Sequence, residues 1–124
     1  MSTYSNLAVE LIGTGEQSGT WGTTTNVNLG TALEEAIVGT TTIAVTASDL
    51  TLSLAVSDNG TQPVRHLRLN LTGSSGGASN LIIPTTAAGG ANTFQKNYII
   101  NNASNTAITV KTASGTGALV PAGK

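Results

Sequence analysis

A mainly β chain is expected: an antiparallel β-sandwich or open barrel, preceded by an extended glycine-rich N-terminal arm and one short helix. Three observations predict it. From residue 40 onward, apolar residues recur at every second position. The alternating runs are short and are separated by glycine-rich turns. Only one stretch, ending near Gly39, carries helical spacing instead.

The chain opens with an entry segment reaching to about residue 22. Its apolar run Ala8-Val9-Glu10-Leu11-Ile12 has the length of a strand. Gly13-Thr14-Gly15-Glu16-Gln17-Ser18-Gly19-Thr20 is expected to be irregular, because three glycines make helix and strand entropically poor. The helix follows, with Thr23, Thr24 or Thr25 as its cap and Val27, Leu29, Leu33, Ala36 and Ile37 favouring one face. Gly39 stands where a left-handed stop residue belongs. Gly30 weakens the interior, and Glu34 and Glu35 sit where the helix dipole disfavours them, so this helix needs a surface to lie on.

The strands come next. Ile43 and Val45 alternate with small or polar residues, as do Leu50, Leu52, Leu54 and Val56. Asp58-Asn59-Gly60 is the strongest turn signal in the chain. Leu67, Leu69 and Leu71 are expected to point one way and His66, Arg68 and Asn70 the other. After the loop Gly73-Ser74-Ser75-Gly76-Gly77, Leu81-Ile82-Ile83 forms a strand that Pro84 ends. Lys96 to Asn102 gives another, with Tyr98 and Ile100 on one face, and Ile108 and Val110 mark the next. Ala118-Leu119-Val120-Pro121 begins an apolar stretch that Gly123-Lys124 does not close, so another chain or a continuation of this one is expected to cover that edge. The organisation read from this is a docking arm with its helix over residues 1–39 and a β-domain over residues 40–124.

Composition narrows the function. Only 9% of the 124 residues are charged and the net charge is −1. A surface of hydroxyls and amides suits a protein packed against neighbours better than a free monomer. No basic stripe is present to neutralise phosphates, so no nucleic-acid partner is expected. No apolar run is long enough to span a bilayer, so no membrane is expected either. The N-terminus lacks the basic start and apolar stretch of a signal peptide, which fits synthesis in a cytoplasm.

Chemistry has little to work with. His66 is the only histidine and there is no cysteine. The carboxylates are dispersed without ligand spacing, so no metal and no cofactor are expected. The strand–glycine loop–helix order of residues 8–38 suits a phosphate loop, but the required lysine is absent. No catalytic residues are assigned. The residues singled out for docking are Gly15, Glu16, Gln17, Trp21, Gly22 and Thr23. Trp21 is the only tryptophan, and its ring is expected either to staple the first helical turns or to fill a neighbouring subunit's pocket.

The run from Gly13 through Gly19-Thr20-Trp21-Gly22-Thr23 to Asn26 resembles the opening of tail-fibre or tail-associated proteins of bacteriophages, especially those of marine bacteria. Arg68-Leu69-Asn70-Leu71-Thr72-Gly73, Asn80-Leu81-Ile82-Ile83-Pro84, Tyr98-Ile99-Ile100-Asn101-Asn102 and Thr109-Val110-Lys111-Thr112 resemble the same family in the same order. The resemblance implies a structural virion protein of the tail, without catalysis, whose N-terminal part attaches a tail fibre to the tail machinery for host adsorption. It implies a homotrimer docked on an adaptor, nozzle or baseplate protein. It also implies a distal region, beyond residue 124, that meets the host-surface receptor. Two other readings of the residues stay open: a capsid decoration or head-fibre protein, and a carbohydrate-binding β-module.

Overall fold

Strands form within the alternating runs, but the runs from Leu50 and from Lys96 give only Leu50–Thr51 and Ile99–Asn102, and most strands pair in parallel. A computed structural model describes residues 3–55, 60–74, 79–87 and 93–124. Strands β1 (Thr3–Tyr4) and β2 (Glu10–Leu11) pair antiparallel. A helical stretch follows as α1 (Trp21–Val27), a π-helical segment (Asn28–Leu33) and α2 (Glu34–Val38). Next come β3 (Thr40–Val45), β4 (Leu50–Thr51), a 3-10 turn (Pro63–Arg65), β5 (Arg68–Gly73), β6 (Ser79–Ile82), β7 (Ile99–Asn102), β8 (Ile108–Lys111) and β9 (Ala118–Val120).

One sheet has the order β3-β5-β7 and is parallel throughout. The other has the order β4-β6-β8-β9, parallel except for the last, antiparallel pair. The chain alternates between them, so three windings each place one strand in each sheet. Thr40 pairs with Arg68 and Arg68 with Ile99, offsets of 28 and 31 residues. The class is mainly β, as expected. The antiparallel pairing expected from the short intervals is corrected, because each parallel crossover is made by a strand of the other sheet. Neither sheet closes into a barrel among the described residues.

Ile43 and Val45 from β3, Leu69 and Leu71 from β5, Leu81 from β6 and Ile108 from β8 form one core between the sheets. Four of these, Leu69, Leu71, Leu81 and Ile108, are wholly buried, each stabilising the fold by roughly 2 kcal/mol. A second cluster joins Ala8, Leu54, Val64, Ala87 and Phe94, with Tyr4 and Leu7 packed against it. Residues of the entry segment are therefore part of the core. Ala8 holds a left-handed backbone, with φ of 61°, inside a tight turn in which its N–H donates to the Ser5 carbonyl at 2.8 Å.

Other expectations need local correction. The helix starts at Trp21 with Thr20 as its cap residue, earlier than Thr23–Thr25, and no side chain caps it. Gly39 is extended (φ −70°, ψ 142°) and not left-handed; a Cβ there would lie 2.6 Å from the Glu35 carbonyl oxygen and 2.8 Å from the His66 ring. Close approach explains this glycine, and backbone sign does not. His66, expected on an outward face, is buried, because the 3-10 turn breaks the period-two count and β5 begins only at Arg68. Asp58 and Asn59 of the expected turn, Val56, and Ser75-Gly76-Gly77 of the expected loop lie outside the described residues.

Tyr98 packs between both clusters and donates its hydroxyl to the Val64 carbonyl. Burial raises its pKa above the ordinary phenol value. The folded chain thus disfavours the phenolate, and this part of the stability is intact below about pH 10 and lost as pH rises further. Lys96, whose ammonium lies 3.9 Å from the Tyr98 ring centre, is shifted down by burial and works in the opposite sense, its contribution growing as pH rises towards its ordinary value. Tyr98→Phe is expected to cost about 1 kcal/mol at neutral pH and to flatten the alkaline loss above about pH 10. Urea unfolding between neutral and alkaline pH checks both; an unchanged alkaline slope contradicts the assignment.

Candidate docking surface

The glycine-rich loop is tied to its surroundings by two side chains. Glu16 folds back so that its carboxylate accepts the Gly13 N–H at 2.9 Å, and a Cβ on Gly13 would come within 2.8 Å of that oxygen. Gln17 takes a left-handed backbone, with φ of 57°, which aims its carbonyl at the N–H groups of Thr20 and Trp21, both at 2.9 Å. Its side-chain amide donates to the Glu10 carboxylate and accepts from the Thr24 hydroxyl. Asn28 donates to the Glu10 carbonyl at 2.8 Å. Loop, β2 and the first helical turns are thereby one hydrogen-bonded unit.

The six residues singled out in the sequence divide into two groups. Glu16 and Gln17 face their own chain and hold the loop. Gly15 is exposed at the loop tip with φ of 81°, Thr23 is exposed, and Gly22 is half-buried. Trp21 opens the helix with 60% of its surface in solvent.

Sequence reasoning missed the rest of this surface. Leu29 and Ile37 were expected on the helix face that lies against a surface, yet they are 57% and 66% exposed, and Val38 is 66% exposed. Only Ala32 and Glu35 of the helical stretch are buried. The π-helical segment bears on Ile37 and Val38, which follow it, while Leu29 lies at its start. A π turn takes up about one more residue than an α turn, so it shifts the phase of everything after it. Trp21, Leu29 and Ile37 follow at intervals of eight, and all three are exposed. The inward side is fixed instead by Glu35, whose carboxylate lies 3.4 Å from His66 Nε2 and 3.4 Å from the Gln62 N–H.

Two clefts adjoin the helix. One, of about 340 Å³, is lined by Glu34, Glu35, Thr40, Thr61 and His66. His66 has both ring nitrogens engaged there, Nδ1 with the Gln62 carbonyl at 3.0 Å and Nε2 with Glu35, which leaves neither for a substrate. The other cleft, of about 430 Å³, lies between Asn6, Leu7, Ala36 and the Phe94–Asn97 segment. Lys96 is its one titratable lining residue, and its ammonium donates to the His66 carbonyl at 3.1 Å and the Asn97 carbonyl at 2.9 Å. Among the described residues no group of three or more carboxylate or histidine side chains is placed to hold a metal ion, and no helix is long and apolar enough to cross a membrane.

No family model matches the chain, and neither the curated proteins nor the solved structures contain a significant match to it.

Proposed function

We propose that this chain is a structural virion protein, the N-terminal anchoring part of a bacteriophage tail fibre, which attaches the fibre to the tail machinery for host adsorption. The observation that carries the reading is the exposed apolar set Trp21, Leu29, Ile37 and Val38 on a helical stretch that begins within the segment most resembling tail-fibre proteins. Exposed apolar surface of this kind marks contact with another protein, and tryptophan is the residue most enriched where such contacts are strong. The other aromatics, Tyr4, Phe94 and Tyr98, pack in or against the core, so Trp21 has no aromatic platform beside it for a sugar. That favours a protein partner over a carbohydrate. The partner is an adaptor, nozzle or baseplate protein, and the low-charge β-body, whose facing sheets suit a sandwich-like packing, associates with further copies as a homotrimer.

Point substitutions test this better than truncation, because Leu7 and Ala8 belong to the core. Particles made with Trp21→Ser and Leu29→Ser together are expected to carry this chain at least about thirty-fold less tightly, the effect of losing roughly 2 kcal/mol from one hot spot. The isolated variant is expected to stay folded with a small change in melting temperature, since more than half of each residue already lies in solvent. Normal incorporation of the double variant contradicts the reading, and location of the chain on the head instead of the tail favours the capsid-decoration alternative.

A further inference from the structure

Glu35 is the one buried carboxylate among the described residues, and it faces the only histidine of the chain. The two meet where the helical stretch crosses the 3-10 turn: Glu35 lies on α2, and His66 directly follows Pro63–Arg65. Each side chain keeps only 9% of its surface in solvent.

The contact between them lacks a hydrogen. His66 Nδ1 lies 3.0 Å from the Gln62 carbonyl oxygen and 3.2 Å from that of Pro63. Carbonyl oxygens only accept, so Nδ1 carries a hydrogen. A neutral ring then has a bare lone pair on Nε2, and that atom faces Glu35 Oε2 at 3.4 Å. An ionised carboxylate also only accepts. Two acceptors facing each other away from water repel, so the contact closes only when one further proton sits between them, on the ring or on the carboxyl group. The ring has no room to turn aside: a Cβ on Gly39 would lie 2.8 Å from its Cδ2, so the backbone packs directly on it.

The other charged groups nearby do not supply the hydrogen. Lys96 donates its ammonium to the main-chain carbonyls of His66 and Asn97. The Arg65 guanidinium turns to the carbonyls of Leu7, Ala8 and Gly60. Arg68 is exposed on β5, and Glu34, exposed on the same cleft, adds only negative charge. That cleft, which both Glu35 and His66 line, gives a proton its route to solvent.

The attachment of the helix depends on this pair. Of the helical stretch only Ala32 and Glu35 are buried. The Glu35 main-chain carbonyl accepts the Leu67 N–H at 3.0 Å, and its carboxylate accepts the Gln62 N–H at 3.4 Å. We propose that Glu35 and His66 form a proton-held latch: one shared proton fastens α2 to the 3-10 turn and the start of β5, and its loss frees α2 from the β-body. The proton is bound in the latched form, so attachment is complete at low pH and is lost as pH rises. The latch joins the helix to its own chain and stands whatever the exposed Trp21, Leu29 and Ile37 contact.

The test is amide exchange of the full chain at about pH 5.5 and about pH 8.5, either side of the range in which histidine ordinarily changes charge. After correction for the intrinsic rate, protection of the Gln62 and Leu67 amides is expected to fall about ten-fold or more at the higher pH, while Leu71 and Leu81 keep theirs. Nitrogen shifts of the neutral ring are expected to place its hydrogen on Nδ1. Glu35→Gln offers the neutral ring an amide N–H, so both amides keep their protection at either pH. Should that variant fold poorly, His66→Gln puts a neutral amide in place of the ring and is expected to respond as little. A neutral ring with its hydrogen on Nε2, unchanged protection in the natural chain, a fall shared by every amide, or a pH response that survives in a folded variant would each overturn the proposal.

Discussion

Replacing Arg65 with methionine is expected to destabilise the folded chain by about 3 kcal/mol and to lower its melting temperature by about 10 °C. Arg65 is 1% exposed, among the largest of the fully buried side chains. It sits on the 3-10 turn, where Pro63 sets the first helical φ and the following residues turn inward. From there its guanidinium donates to the carbonyls of Leu7 at 3.1 Å, Ala8 at 2.8 Å and Gly60 at 3.1 Å. Methionine fills most of the volume but donates nothing, so these carbonyls lose a partner away from solvent. The left-handed turn at Ala8 loses one of its holds at the same time. Hydrogen exchange is expected to quicken first in residues 3–11, while the core strands β5 and β6 keep their protection. A loss under about 1 kcal/mol by urea unfolding would show that the entry segment is not fastened through this residue.

Asn102→Ala is expected to cost a similar amount, about 3 kcal/mol, and to loosen the last winding selectively. Along the inner column Ile43 pairs with Leu71 and Leu71 with Asn102, so an apolar stack ends in a fully buried amide. That amide donates to the Thr106 carbonyl at 2.8 Å and the Val120 carbonyl at 2.9 Å, and its oxygen accepts from the Ser104 N–H and hydroxyl. The side chain thereby joins the β7–β8 turn to β9. Alanine removes all four of these hydrogen bonds at once, although the Ser104 hydroxyl still donates to the Thr106 carbonyl at 3.0 Å. The exchange rates of β9 and of residues 121–124 are the specific readout, because a purely global loss would raise every rate together.

The first of these residues was invisible in the sequence and the second only half legible. Leu69, Leu71, Leu81 and Ile108 could be placed inside from alternation alone, since period two is a property of the strand itself. The partner of each strand could not. Pairing offsets of 28 and 31 residues leave no repeat that the eye can find, because stacked positions share only a direction, as Thr41, Leu69 and Ile100 do. His66 was misplaced for a related reason: a single 3-10 turn before β5 resets the count. At the docking surface, Trp21 was legible as the only residue of its kind. Leu29, Ile37 and Val38 were not; for the last two, helical spacing presumes a constant turn and the π-helical segment before them changes it. Arg65 buried and bound to backbone carbonyls is a consequence of tertiary packing that no local pattern announces.

Tracing this chain within an intact particle is the most direct measurement of the proposed role. If the chain anchors a fibre, the Trp21, Leu29 and Ile37 side chains will be found buried against a different subunit at the tail. A chain seated in the particle with those side chains facing solvent, or a chain found only as free single copies, would contradict the proposal.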